Sequence, residues 1–376
     1  MLRNRIMKST TAIALIVASG ITAAADAKLP KSMIWTSYDL GAAGYVEASA
    51  MADALDKKYG TRVRITPSGT GVGRMLPLQT GRASFGFMGN EIHFAGEAMY
   101  EFSAREWGPQ NLRVLLGRPA SVGLVSGKDT KIMSPADLAG KKVGYVQANP
   151  STTLNTETVL AFAGLTTADV DQVVYPSYGA MGKAFIAGEI DVAPAIPVSS
   201  FLREAEGGRG VRWLDMPASD KAGWDRINAH ARMFAPSKAT VGVSISKDDP
   251  ADLLGYRYPQ LTVTADADEE LVYNMVKALD ETFDLYKDAT KVIARWNVKK
   301  AGTAPAGAPF HEGAVRYLKE VGVWTAEDEA WNQARIERLA AVQKAWDDAT
   351  SKADAEGVSA KKWPEFWADY RLKNLK

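Results

Sequence analysis

The stretch Ile65-Thr66-Pro67-Ser68-Gly69-Thr70-Gly71-Val72-Gly73-Arg74-Met75-Leu76 constrains the fold more than any other in the chain. The strand over 62–67, with Val63 and Ile65 inward, leads into it; its small hydroxyl-bearing residues predict a tight turn, and the residues after them a helix. A helix opened by such a turn has first-turn N–H groups without intrahelical partners, which makes a ready site for an anion. Two kinds of protein use this arrangement: a dinucleotide enzyme and a receptor for a small carboxylate.

The strand–turn–helix unit recurs. The pattern predicts strands over 32–37, 62–67 and 83–88, with helices over 45–59, 73–80 and 90–100. A second series has strands over 112–117, 122–126, 142–146, 173–176 and 191–196, with helices over 154–163 and 179–187. Alternation of this kind implies a mostly parallel sheet covered on both faces, an α/β architecture. Strands are expected again over 241–246 and 261–264. After them the chain reads as mostly helical: 269–296, then 312–321, and a long amphipathic helix over 326–355. The tail Trp363-Pro364-Glu365-Phe366-Trp367 carries aromatic rings that need a partner surface, and docking onto the chain's own lobe is expected.

Residues 1–27 read as a secretory signal. Arg3, Arg5 and Lys8 form a positive n-region, residues 11–21 an apolar h-region, and Ala25-Asp26-Ala27 an A-x-A cleavage site. The apolar run is shorter than the roughly 20 residues of a membrane span. The chain has no Cys, which excludes disulfides, thiol catalysis, thiolate metal sites and a lipid-bearing anchor. An exported chain without an anchor is expected in the periplasm. Without residues 1–27 the net charge moves from +1 to −1, which leaves no electrostatic footprint for nucleic acid or an anionic membrane.

Enzyme motifs are weak. Gly69, Gly71 and Gly73 give G-x-G-x-G, but Arg74 stands where the dinucleotide fingerprint has its third glycine. The three His are His93, His230 and His311; no G-x-S-x-G elbow is present, and His93 with Glu97 lacks a third metal ligand. The turns point instead to binding. Four strand-to-helix junctions share one chemistry: Ser37-Tyr38 with 41–45, then 68–71, 151–153 and 177–179. In an α/β sheet such junctions lie at the carboxyl ends of strands, where ligands bind. For a single junction a simple helix cap explains the hydroxyls. Four junctions, split between two α/β units, favour a shared cleft. Arg74 and Arg118 are candidates to anchor a carboxylate, with a surface salt bridge as the alternative for each.

Several segments carry a family resemblance. They are Gly41-Ala42-Ala43-Gly44-Tyr45, Ser68-Gly69-Thr70-Gly71 with residues 76–81 and 83–91, the MSPADLAGKKVGYV segment over 133–146, and Phe310-His311-Glu312-Gly313-Ala314-Val315-Arg316-Tyr317-Leu318-Lys319-Glu320. Residues 32–323 resemble the TAXI family, the extracytoplasmic solute receptors of tripartite ATP-independent periplasmic (TRAP) transporters. The resemblance implies a two-lobed periplasmic binding protein fold of the class II type with hinge strands, here with a helical C-terminal extension. The implied organisation is a first lobe over 28–121, a second over 122–235, a return to the first with hinge strands over 236–323, and the extension over 324–376.

It also implies a monomeric receptor, not an enzyme, without cofactor or metal. Such a receptor closes on a small organic acid or amino acid carboxylate and delivers it to TRAP permease subunits. The implied ligand-binding residues are Ser37, Tyr38, Gly44, Tyr45, Ser68, Gly69, Thr70, Asn90, Ser151, Thr152, Thr153 and Tyr178. The sequence departs from the family at Ala42 and Ala43 and at Asn149-Pro150. Three alternatives stay open: a receptor for an ATP-driven importer with Trp35, Tyr38 and Tyr45 gripping an aromatic or amine ligand, an exported enzyme, and a sensor subunit docking through the C-terminal extension.

Overall fold

A computed structural model describes residues 26–231 and 233–375; the expected signal segment lies outside them except for its last two residues. The chain begins β1 (Ser32–Tyr38), α1 (Ala43–Tyr59), β2 (Arg62–Ser68), α2 (Gly71–Gln79), β3 (Phe85–Met88) and α3 (Glu91–Gly96). The long strand β4 (Leu112–Gly127) follows, then β5 (Lys142–Val146), α4 (Pro150–Phe162), β6 (Asp171–Tyr175), α5 (Tyr178–Ala187) and β7 (Val192–Ala195). Next come α6 (Phe201–Gly208), β8 (Val211–Trp213), α7 (Lys221–His230), β9 (Ala235–Ala239) and a second long strand, β10 (Ala251–Thr264). The remainder is helical: α8 (Glu269–Glu281), α9 (Phe283–Tyr286), α10 (Val298–Ala301), α11 (Glu312–Glu320), α12 (Ala326–Ala355) and α13 (Trp363–Asn374).

The strands join in the order β2-β1-β3-β10-β4-β7-β5-β6, with β8 on β4 and β9 on β10. The protein is α/β with two lobes, and among the described residues only β4 and β10 run through both. The first half of β4 pairs with the second half of β10, beside β3. The second half of β4 pairs with β7 and β8, and the first half of β10 with β9. Parallel pairs β1–β2, β1–β3 and β5–β6 flank these antiparallel strands.

Several expected elements are redrawn. Residues 112–117 and 122–126 are one strand, because β10 pairs along the intervening Pro119–Ser121 as well. The strand expected over 241–246 is a tight turn, with Ser244 at φ 53 and an isolated bridge from Gly242 to Ile245. The helix over 90–100 stops at Gly96, since Ala98 and Tyr100 adopt positive φ. The segment 269–296 breaks after Glu281, where the Thr282 hydroxyl donates to the Ala278 carbonyl. Helix α4 begins at Pro150 rather than 154, since Pro suits a first helical position and Asn149 caps the Thr152 N–H.

Local chemistry explains where α1 ends. Its buried face carries Ala48, Met51 and Leu55, and Gly60 at φ 67 closes it by returning its N–H to the Asp56 carbonyl. Below that face, Trp35 is fully buried against Phe85 and Phe87, and Trp296 packs on Phe87. Arg118 on β4 reaches this core. Its Nε and Nη2 donate to Glu47 of α1, both at 2.7 Å, and Trp296 Nε1 donates to the same carboxylate at 2.6 Å. Arg118 is 2 % exposed and Glu47 0 %, so a surface salt bridge is not what Arg118 makes. Removing one partner of a buried pair leaves an uncompensated charge, at a cost of about 3–5 kcal/mol. Glu47→Ala is therefore expected to lose about that much stability in urea unfolding; a loss under about 1 kcal/mol, the worth of a surface pair, would exclude this role.

The C-terminal extension docks onto the first lobe, as its aromatic rings suggested. Trp363 and Trp367 donate to the carbonyls of Ser103 and Ala98, and Trp346 packs edge-on against both. Beside them, Glu97 receives Arg335, Arg338 and Arg371. Burial opposes the Glu97 charge, but the Arg338 hydrogen bond, His93 and Arg371 outweigh it and hold the carboxyl at about 2. Burial, with Arg335 beside it, pushes His93 down to about 4. A lowered His pKa means the unfolded chain takes up the proton first, so stability falls as pH drops from 6.5 towards 4. The Glu97 contribution is present above its usual value of 4.5 and is lost towards pH 2. Calorimetry is expected to show the unfolding temperature declining from pH 6.5 to 4, with that part of the decline flattened in His93→Gln. An unchanged slope in the variant would remove His93 from the account.

Candidate functional site

A cavity lies between the lobes at the carboxyl ends of the central strands. Tyr38, Ser68, Gly69 and Arg74 line it from the first lobe, and Ser151, Thr152, Asn155 and Tyr178 from the second. Tyr256 and Tyr258 reach it from β10. A volume of about 50 Å³ is open to the centre of a water-sized body, against the ~10–15 Å³ that one water needs. That space suits a small solute and is too small for a dinucleotide.

The lobes touch across the cavity rim. Tyr178 N–H donates to the Gly69 carbonyl at 3.4 Å and Val72 N–H to the Ala148 carbonyl at 3.3 Å. A Cβ on Gly69 would stand 2.7 Å from Ser177 Cβ and 3.0 Å from Asp39 Oδ2. Only a residue without a side chain allows this approach. The N-termini of α2, α4 and α5 converge here, each capped by its own residue: Thr70 for Gly73 N–H, Asn149 for Thr152 N–H, Ser177 for Ala180 N–H. Thr70 N–H donates to Ser68 Oγ. The N–H groups that the turn was expected to offer an anion are thus largely engaged, in caps and in contacts between lobes.

Charge in the site is paired. Arg74 Nε and Nη2 donate to Glu91 Oε1 at 3.2 and 2.8 Å, and Nη1 donates to the Ser68 carbonyl at 3.3 Å. The pair is 2 % and 0 % exposed, so Arg74 also is not a surface residue. Its guanidinium stacks 3.9 Å from the Tyr38 ring centroid, a cation–π contact strengthened by desolvation. Tyr38 meets Tyr258 edge-on, and Tyr256 lies against Tyr258. Burial pushes all four cavity tyrosines above their usual range, Tyr178 to about 12, so each is a neutral phenol. Asp39 adds a carboxylate at the rim.

The residues singled out from sequence divide into two sets. Tyr38, Ser68, Gly69, Ser151, Thr152 and Tyr178 line the cavity. The others sit behind or beside it. Asn90 is buried, accepts from the Ser151 hydroxyl and donates to Asn155 Oδ1. Ser37 is buried and donates to the Gly44 carbonyl, and Gly44 lies under the Tyr38 ring, where a Cβ would clash. Thr70 serves as cap and Thr153 donates to the Asn149 carbonyl. Tyr45 faces an outer groove with Asp53 and Arg62. Trp35 is core.

Tyr256 and Tyr258 were missed. Between Arg257 and Gln260 the β10 register shifts against β4, placing Tyr258-Pro259 opposite Arg118 alone. Such a bulge re-aims side chains. The signal was the alternation Tyr256-Arg257-Tyr258, which puts both rings on one strand face. Asn155, a full turn into α4, carried no signal. His93, His230 and His311 lie away from the cavity; His311 caps α11 through Nδ1, which accepts from Gly313 N–H. Among the described residues no group of three or more His, Asp or Glu could hold a metal ion, and no helix is long and apolar enough to cross a membrane.

Residues 40–322 match the NMT1-like family. The chain belongs to that family. Solved structures similar to it include the alkanesulfonate-binding protein SsuA from Xanthomonas axonopodis pv. citri bound to MOPS, at 14 % identity over 78 % of this chain and 92 % of that one, TM-score 0.44. An ancestral arginine-binding protein bound to arginine matches at 15 % identity over 72 % and 99 %, TM-score 0.42. A structure described as a periplasmic transporter matches at 13 % over 82 % and 97 %, TM-score 0.49. No ligand or partner passes from them to this chain at such scores.

A side chain at Gly69 is expected to hold the lobes apart without unfolding either. Gly69→Val should enlarge the radius of gyration in X-ray scattering while the circular dichroism spectrum and unfolding temperature stay near those of the parent. An unchanged scattering profile would show that the turn does not govern closure.

Proposed function

We propose that the protein is an exported solute receptor that holds a small organic acid or amino acid carboxylate between its lobes and delivers it to a membrane transporter. One observation carries the reading: a small cavity lined from both lobes, at the meeting of three helix N-termini. Each N-terminus carries partial positive charge, and the hydroxyls of Ser68, Ser151 and Thr152 add polar oxygens to the wall. A ligand bound to one lobe gains its remaining contacts only when the other swings over, so closure follows from differential contact energy. The signal-like N-terminus supports a periplasmic setting. Binding, rather than catalysis, is the role of the site.

The TAXI-like turn and C-terminal motifs favour a TRAP permease as recipient. The ligand-binding residues of this reading are the six that line the cavity, with Asn90 positioning Ser151 from behind. Membership of the NMT1-like family supports an ATP-driven importer equally well. Reconstitution separates the two: uptake driven by an ion gradient without ATP supports the first, and strict ATP dependence the second.

A thermal-shift screen of organic and amino acids tests the receptor reading. A true ligand at 100 times its dissociation constant stabilises the folded state by about 2.7 kcal/mol, which raises the unfolding temperature measurably. A panel without a stabilising member would overturn the carboxylate reading.

A further inference from the structure

The turn that follows α3 is strained. Ala98 and Tyr100 sit at φ 48 and 53, a left-handed conformation that residues with a Cβ rarely adopt. Such strain persists only where surrounding contacts over-determine it. Here those contacts come from the C-terminal extension. Trp367 Nε1 donates to the Ala98 carbonyl at 2.7 Å, and Trp363 Nε1 to the Ser103 carbonyl at 2.8 Å. Both rings are 1 % exposed. One residue before the turn, Glu97 is held by Arg335 and Arg338 of α12 and by Arg371 of α13. Within the turn, the Ser103 hydroxyl donates to the Tyr100 carbonyl at 2.6 Å.

The strained turn aims a side chain across the cleft. The Tyr100 ring meets Phe94 edge-on, and its hydroxyl donates to Glu157 Oε2 at 3.2 Å. Burial and the Glu157 charge push the Tyr100 phenol above its usual range, so it stays the donor. His230 Nε2 of α7 stands 3.7 Å from the same Glu157 oxygen. Tyr100 belongs to the first lobe and Glu157 to α4 of the second, and neither is among the residues that line the cavity. Helix α4 also brings Ser151, Thr152 and Asn155 to the cavity wall. A hold on Glu157 is therefore a hold on that wall.

We propose that Tyr100 and Glu157 form a second contact that latches the lobes together, and that the C-terminal extension presents Tyr100 to it. Helices α12 and α13 then brace the turn from behind and set how readily the lobes close. The latch concerns the two lobes alone and stands independently of what the cavity binds.

The test uses the signal-free chain without ligand. The chain has no Cys, so Leu285→Cys in the first lobe and Val174→Cys in the second, both at exposed positions, carry a fluorescent pair. Its distance distribution gives the ratio of closed to open molecules. Tyr100→Phe keeps the ring and removes the donor. It is expected to lower that ratio about tenfold, near the lower end of what a hydrogen bond to a charged group contributes. Trp367→Phe removes the N–H that holds Ala98 and is expected to lower the ratio in the same direction. The two changes together should open the molecule no further than Tyr100→Phe alone, because both remove one contact; independent effects would add. Circular dichroism and the unfolding temperature show whether the extension stays docked. Arg371→Gln, which loosens Glu97 at the other end of the turn, replaces Trp367→Phe should that variant unfold. A parent without a closed population, or a ratio unchanged in Tyr100→Phe, overturns the latch. Additive effects, or an extension variant that folds and closes like the parent, overturn the bracing role.

Discussion

The pairing of β4 with β10 is the contact on which the rest depends. Each strand starts in one lobe and ends in the other, and they hydrogen-bond antiparallel from Leu112 to Val122 and from Leu254 to Thr264. Two covalent crossings at one place give the lobes a shared axis. The same place holds the bulge at Tyr258-Pro259 and the buried Arg118–Glu47 pair. The bulge turns tyrosine into the cleft, and the ion pair ties the crossing strand to α1. Hinge, cavity wall and core anchor thus occupy adjacent residues.

Closure is achieved with little side-chain bulk. Gly69 admits Ser177 and Asp39, and backbone groups of 69, 72, 148 and 178 meet across the rim. These contacts use the N–H groups that an isolated reading would leave for a ligand. What the cavity wall presents is then hydroxyls, tyrosine rings and the guanidinium of Arg74. Because Arg74 is already neutralised at Glu91 Oε1, it shapes the wall more than it attracts an anion.

Much of this was legible from residues alone. The three strand–helix units before residue 100 and those between 142 and 195 read correctly in order and type, since each carries its own periodicity, although α3 stops early at Gly96 and α4 starts early at Pro150. The long α12 read to the residue, with Thr325 as its cap. The break in 269–296 and the turn at 241–246 did not, because apolar content there reflects packing against other elements rather than local periodicity. In the site, Ser68, Gly69, Ser151, Thr152 and Tyr178 were legible because they sit at strand ends. Asn155 was not, because helix register alone brings it in, and Tyr256 and Tyr258 lay outside the strand expected over 261–264.

The sequence by itself determined the α/β class, the strand-to-helix junctions that border the cavity, and the absence of thiol chemistry. Local rules suffice for those: periodicity sets the elements, and small hydroxyl residues mark where strands end. Only the tertiary structure decided which junction residues face the cavity and which N–H groups remain available. It also decided that Arg74 and Arg118 are buried partners of Glu91 and Glu47, each pair formed by residues far apart in sequence or on different elements. Those outcomes depend on how two lobes approach across one pair of strands, and no window of neighbouring residues carries that geometry.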